Sequence, residues 1–452
     1  MADPDPANHR LRRALTSRRL LWLALVVGAA LRLAYALAAG PGFSFPDEAA
    51  FQASVATTDA KVAWTNDQTR EPLYPAFLAA IYRIAGTPRP GAIRIVQALL
   101  STATIGLVFL LARELFGPVT AGIAAVVTAG YPFFIYYCAY LLRETLLVFL
   151  AVALCLFTVQ AIRRRDARAF VAASLTAAAA VLAKVTFLPF WGLTVILLAL
   201  TRNIPRRALL LGLLVFATPL VVVASSHQAR YGAFFLVRGL GFNAYAPLIL
   251  PKNVYGTPAE LTLSYQDPTY AAGRALPIGE QDAFFMRAVL REVRERPGLF
   301  LDRTLWRLGK FWRIWPHRGV EYTQNWRLLF WVSLLSYGAL LPLALWTAGS
   351  RLRELKAIFP LYLLPAVFSL LHALTWSQIR YRLPLEPLVI VFAAEALRSL
   401  SDRLRHQREP AAAAPADRLT RRNPGDRFTH EGRRFLQPAL AAAQFKRGGE
   451  SP

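Results

Sequence analysis

Runs of about 20 apolar residues recur along this chain, and the short polar stretches that follow every second run carry arginine clusters. A hydrocarbon core of roughly 30 Å is crossed by about 20 helical residues. Inside that core every backbone polar group must be paired within the protein, which a helix achieves by itself. The pattern therefore predicts an all-α, multi-pass membrane protein. Composition agrees. Hydrophobic residues make up 55% of the chain and charged residues 17%, against about 45–50% and about 25% in soluble chains. The formal net charge of +25 reads as the positive-inside bias. No basic stretch carries a nucleic-acid motif, so no nucleic-acid partner is expected.

Ten spans follow from the pattern: residues 20–39, 93–112, 119–137, 145–162, two short spans within 169–200 that meet near Lys184, then 208–226, 328–347, 357–374 and 383–396. The arginine-bearing turns 113–118, 163–168, 202–207 and 351–356 fall inside, with both termini. The expected organisation is a basic cytoplasmic N-terminus (1–19), a transmembrane core (20–226) with an outer loop (40–92), an extracytoplasmic segment (227–326), the last transmembrane helices (327–400) and a disordered, basic cytoplasmic tail (401–452). Ala36-Leu37-Ala38-Ala39 is similar to a signal-cleavage site, but the apolar run before it exceeds the usual 7–15 residues, so it is read as retained.

Segment 227–326 divides in two. Its first half is rich in Gly, Pro, Asn and Tyr and reads as loop. Its second half is helical, with Met286, Leu290 and Val293, then Leu301, Leu305, Leu308, Trp312 and Trp315, forming a stripe. Arg303, Arg307, Lys310 and Arg313 lie off it. Two readings stay open: a helix in the membrane interface, or one packed on the protein's own outer segment.

Charges near the spans are the functional candidates, because a charge at a low-dielectric boundary is costly without a partner. Asp47 and Glu48 follow the first span. Glu144 opens the fourth, where a helix N-terminus favours its charge, and Arg143 precedes it. Arg70, Lys184, Arg380 and Arg382 fall at outer ends by the same topology. Acids and bases gathered on one face suit an anionic, phosphate-bearing ligand. Arg32 lies inside the first span, about 10 Å from its outer end at 1.5 Å per residue, and must snorkel or find an acidic partner. Cys138 and Cys155 read as buried hydrophobes without a disulfide. The six histidines show no metal-site spacing.

A family pattern appears when these pieces are read together: the long first span, Pro46-Asp47-Glu48, then Arg70-Glu71-Pro72-Leu73-Tyr74-Pro75, Glu144 at the start of the fourth span, and Arg380-Tyr381-Arg382-Leu383-Pro384-Leu385-Glu386-Pro387. Over residues 20–400 the chain resembles membrane glycosyltransferases of superfamily C, in the bacterial branch related to protein O-mannosyltransferases (family 39) and to the transferase that adds aminoarabinose to lipid A. The resemblance implies an inverting enzyme of the plasma or inner membrane. Such an enzyme moves a sugar from a polyprenyl-phosphate donor to an acceptor hydroxyl on a lipid, glycan or protein at the outer face. It places the general base on Asp47, an accompanying acid on Glu48, and donor-phosphate contacts on Arg70, Arg380 and Tyr381. Glu144 joins the catalytic set and Lys184 the phosphate set by position. Asp47, Glu48 and Glu144 could hold a divalent ion; no cofactor is otherwise expected. Glu71 departs from the family's Lys-Pro-Pro-Leu-like motif. The alternatives are a transporter of lipid-linked sugar, for which midplane charges and repeated halves are missing, and an inactive scaffold of envelope assembly, against which the intact carboxylate pair speaks.

Overall fold

The structure, a computed structural model, describes residues 6–40, 42–56, 70–255, 257, 259–315 and 326–408. The expectation for the tail falls, beyond Arg408, outside the described residues. The chain divides into two units, 1–402 and 403–452, and the bundle and every candidate site residue belong to the first. Among the described residues every regular element is helical, as the apolar runs require.

Among the described residues five helices are each long and apolar enough to cross a membrane: α1 (Pro6–Ala38, apolar from Leu15), α4 (Pro90–Phe116), α7 (Glu144–Arg164), α10 (Arg206–Tyr231) and the stretch Trp326–Ser350. A sixth is a pair bent by 90°. The predicted count of ten is met only loosely, because the other apolar runs make shorter helices. α2 (Pro46–Ala56) and α3 (Leu73–Ala85) occupy the expected outer loop. α5 (Pro118–Ala129) stops at Gly130 and is followed by α6 (Pro132–Tyr137). α8 (Ala167–Ala183) and α9 (Phe187–Leu200) are separated at Lys184, as expected from its charge.

The supposed loop after α10 contains α11 (Leu240–Ile249), α12 (Ala259–Gln266) and α13 (Pro268–Arg274). Proline at the first helical position and the Asp267 cap, which accepts from Thr269 N at 2.9 Å, start α13 despite its turn-like composition. α14 (Ile278–Glu295) and α15 (Pro297–Phe311) follow. Trp326–Ser350 comprises α16 (Trp326–Ser333), a π-turn and α17 (Ala339–Ser350). α18 (Leu355–Ile358), α19 (Pro360–Leu374), a 3-10 segment (Ile379–Leu385) and α20 (Glu386–Arg408) complete the chain.

α7 is the axis of the bundle. Of its apolar window 83% is buried, against 22% for α1, 28% for α10 and 17% for Trp326–Ser350. It packs on α4 and α8, while α1 lies across α4 and α5. The helices with exposed apolar flanks are the lipid-facing ones. At one end of the bundle Glu395 accepts from Thr120, Arg351 and Arg398 at 2.7–2.8 Å, tying α5, α17 and α20 together. The ends of α1, α5 and α8 and the starts of α4, α7 and α9 meet at the other, here called the site end.

Arg32 neither snorkels nor meets an acid. Fully buried, it donates to Ser101 Oγ (2.8 Å), Thr128 O (2.9 Å), Ala129 O (2.9 Å) and Gly28 O (3.1 Å). The last carbonyls of a helix lack intrahelical partners and carry partial negative charge, so the guanidinium serves as the C-cap of the short α5. Arg94 instead holds the turn that follows α1, donating to the carbonyls of Ala39, Gly40 and Gly42. Arg32→Met should cost about 2–4 kcal/mol, the scale of several buried acceptors left unpaired. Arg32→Lys should recover only part of it, since an ammonium cannot span carbonyls on two helices. Thermal unfolding in detergent measures both, and an unchanged midpoint for Arg32→Met would refute the capping role.

Candidate active site

The site begins with the turn into α2. Pro46 takes the first helical position, where its fixed φ and missing N–H are tolerated. Glu48 is then the third helical residue, which can reach back to the cap. One Glu48 oxygen accepts from Ser44 N (2.8 Å) and Phe45 N (3.0 Å), the other from Leu141 N (2.9 Å). The side chain is fully buried. Glu48 thus staples the start of α2 to the loop before α7. Phe45 reinforces the contact, edge-on to Tyr140 at 5.1 Å.

Asp47, one residue earlier, is turned out of this clamp, and 42% of its side chain is exposed. Its Oδ2 accepts from Arg380 Nη2 at 2.6 Å. Burial raises the carboxyl pKa, but Arg380, with Arg143 and Arg70 further off, outweighs it and holds the group below its ordinary value. Arg380 also donates from Nε to Gln378 Oε1 (2.8 Å) and lies 3.7 Å from Glu144 Oε1. Glu144 is 4% exposed, and its Oε2 has no hydrogen-bond partner. Arg380 is therefore a shared cation between two carboxylates.

A second ion pair stands beside the first. Arg143 bonds Glu71, whose other oxygen accepts from Val185 N at 3.1 Å. Burial works against the Arg143 charge, but Glu71 and Glu144 raise its pKa. Glu71, the departure from the family motif, thus ties the α2–α3 connection to the break between α8 and α9. In that break Lys184 adopts extended backbone and is buried. Its Nζ lies 4.1 Å over the Tyr381 ring, which stacks on His372 at 4.9 Å. Burial, then the nearby Arg143, pull the Lys184 pKa down to about 7.

Asp47, Glu71 and Arg143 line a cleft of about 140 Å³ together with Phe51, Arg70, Val237, Leu240 and Asn243, and Arg380 stands behind it, bonded to Asp47. Its polar wall comes from the site end of the bundle. Its apolar wall comes from the stretch entering α11. The Arg70 guanidinium lies 4.8 Å from the Phe51 ring, and Asn243 Oδ1 accepts from Trp376 Nε1 at 3.1 Å.

Asp47, Arg70, Arg380, Glu144, Lys184 and Tyr381 thus lie in or next to one site. Arg382 does not. It is fully buried, paired with Glu386 at 2.9 Å, and 3.6 Å over Tyr337. With three residues per turn, a 3-10 segment points positions two apart in different directions. Glu71 and Arg143 acquire roles that the sequence did not suggest, and Phe51, Val237, Leu240 and Asn243 carried no signal at all.

A divalent ion fits this donor set poorly. Both Glu48 oxygens are taken by backbone N–H groups, and the Arg380 cation stands between Asp47 and Glu144. No cluster of three or more metal-binding side chains occurs among the described residues. Cys138 and Cys155 are buried and unpaired.

Residues 67–227 match the family model described as dolichyl-phosphate-mannose-protein mannosyltransferase. No curated protein matches the chain. The archaeal oligosaccharyltransferase AglB from Archaeoglobus fulgidus, solved with an inhibitory peptide and a dolichol-phosphate, is similar in fold, with a TM-score of 0.54 and 17% identity over 87% of this chain and 51% of that one. A structure of the A. fulgidus oligosaccharyltransferase with Zn and sulfate gives 0.51 and 18%, covering 86% and 50%. The chain spans about half the length of these enzymes. ArnT from Cupriavidus metallidurans, bound to undecaprenyl phosphate, is 15% identical over 84% of this chain and 77% of that one, at a TM-score of 0.37, too loose to carry an argument.

Proposed function

We propose that this multi-pass membrane protein, with the fold of glycosyltransferase superfamily C, transfers a sugar from a polyprenyl-phosphate donor to an acceptor hydroxyl at the outer face of the membrane, with inversion. The observation that carries the reading is the Asp47–Arg380 pair, whose carboxylate lines the cleft. A hydroxyl is a weak nucleophile and needs a carboxylate to orient it and accept its proton. A phosphate leaving group needs fixed cations as charge develops. Both stand within one ion pair at the end of an apolar bundle, where a lipid-borne head group arrives.

In this reading the acceptor oxygen attacks the anomeric carbon from the face opposite the phosphate. The bond from that carbon to the phosphate oxygen breaks, the hydroxyl proton passes to Asp47, and the electron pair leaves on polyprenyl phosphate. Arg380, Lys184 and Arg70 receive that charge, with Tyr381 as the platform under Lys184. Glu144 holds Arg380 in place, and Glu48 fixes the helix that presents Asp47. No step is assigned to a metal ion.

The depressed Asp47 carboxyl pKa is explained by the same arrangement. While Arg380 bonds Asp47, the carboxylate is a weak base. A donor phosphate that draws Arg380 away raises its basicity at the moment an acceptor can use it. The test is the protein in membranes that supply acceptor hydroxyls, given a panel of polyprenyl-phosphate sugars, reading release of free polyprenyl phosphate. Release that needs Asp47 supports the proposal, and no release from any donor counts against it.

A pH dependence follows from Lys184. With its pKa lowered to about 7, it is protonated below that pH and loses its charge as pH rises. The kcat/KM for donor should therefore fall above about pH 7. Lys184→Arg, charged throughout, should move the fall to higher pH, and Lys184→Met should start low and stay flat. A wild-type fall that persists unchanged in Lys184→Met would assign it elsewhere.

A further inference from the structure

The α14–α15 elbow is built inside out for a water-exposed helix pair. On α15 the cations Arg307 and Lys310 are buried with Phe311, while Leu301 and Leu305 are 56% and 57% exposed. Arg307 donates to Ala373 O (2.6 Å) and Pro247 O (2.7 Å), and Lys310 Nζ lies 4.4 Å over the Tyr255 ring. On α14 Met286 and Leu290 continue the exposed stripe at 43% and 49%. Beside it Arg287, Arg291 and Arg294, spaced four and three apart on one flank, are exposed.

What covers this stripe can be read from where it ends. Trp312 Nε1 donates to Ser369 Oγ of α19 at 2.9 Å, and Ser333 Oγ of α16 bonds Ile314 O. The Trp315 ring, 42% exposed, lies 6.3 Å from that of Phe330. On the same helix Leu328 and Trp331 are 61% and 57% exposed. The stripe therefore leads, through the half-buried Leu308 and Trp312, to the apolar flank of the membrane span Trp326–Ser350. We infer that α14 and α15 lie in the head-group layer of the bilayer, leucines toward the acyl chains, with Arg287, Arg291 and Arg294 on anionic lipid phosphates. α14 also carries Asp282, whose carboxylate accepts from Gly239 N and Gly241 N. The wall of the cleft formed by Val237, Leu240 and Asn243 is thus fastened to the docked helix.

The test places a nitroxide at Leu290→Cys, Leu301→Cys, Leu305→Cys and, as reference, Asp302→Cys, one at a time, in the full chain in nanodiscs. The native Cys138 and Cys155 are buried and are left in place, with unmutated protein as the labelling blank. Relaxation by oxygen should dominate at the three leucine positions, and relaxation by a water-soluble nickel chelate at 302. Adding phosphatidylglycerol to phosphatidylcholine should move the 305 label deeper, and Arg287→Gln/Arg291→Gln/Arg294→Gln should abolish that shift. Nickel access at 301 and 305 equal to that at 302 overturns the inference, as does a phosphatidylglycerol shift that survives the triple substitution. No sugar donor is involved, so the outcome is independent of the transferase reading.

Discussion

Asp47→Asn should lower the proposed sugar transfer by about 10²–10⁴-fold, the usual contribution of a positioned base, while the protein still folds and inserts. The substitution keeps the shape and an acceptor oxygen for Arg380 but removes the proton acceptor. Folding is spared because the turn into α2 is held by Glu48 and three backbone N–H groups, none of which involves Asp47. Turnover with saturating donor and acceptor, alongside a thermal midpoint, separates the two effects. Full activity in Asp47→Asn would remove Asp47 from the reaction. A collapsed midpoint would instead give it the structural part assigned here to Glu48.

Arg380→Gln should cost about 10²–10³-fold in kcat, the scale of losing one preorganised group on a developing anion. It should also raise KM for the donor, because a charge is lost from the ground-state phosphate contact. A second signature distinguishes it from simple damage. Arg380 bonds Asp47 at 2.6 Å and is the largest of the charges that lower its pKa. Without it the strongest lowering influence on Asp47 is gone, so the acid limb of the pH–rate profile should move to higher pH. Arg380→Lys should restore most of the KM but less of kcat, since a single ammonium nitrogen cannot reproduce the fork that reaches Gln378 from Nε and Asp47 from Nη2. An unmoved acid limb in Arg380→Gln would mean that Asp47 does not control it.

The membrane class and the neighbourhood of the site were legible because charge next to apolar runs is rare and costly. Asp47 was singled out as a candidate for that reason, and so were Arg380, Glu144 and Lys184. The division of labour between Asp47 and Glu48 was harder, since two adjacent carboxylates look alike until Pro46 is known to begin a helix. The third helical position then reaches the cap and the second does not. The partner of Arg32 could not be read, because a backbone carbonyl leaves no mark on composition. The face of α15 was legible as a stripe but not in direction, since buried cations can be held by carbonyls and aromatic rings as well as by acids. Glu71 looked like a lost proline, and only the meeting of the α2–α3 connection with the α8–α9 break shows it as half of an ion pair.

The two members of the Asp47–Arg380 pair are 333 residues apart. Both lie outside the stretch 67–227 that resembles the mannosyltransferase family. A nascent chain therefore holds Asp47 long before its closest cation has been made, and the pair can form only when the last helices are in place. The matched stretch, expressed alone or grafted into another protein, would carry Glu71, Arg143, Glu144 and Lys184 but neither end of that bond.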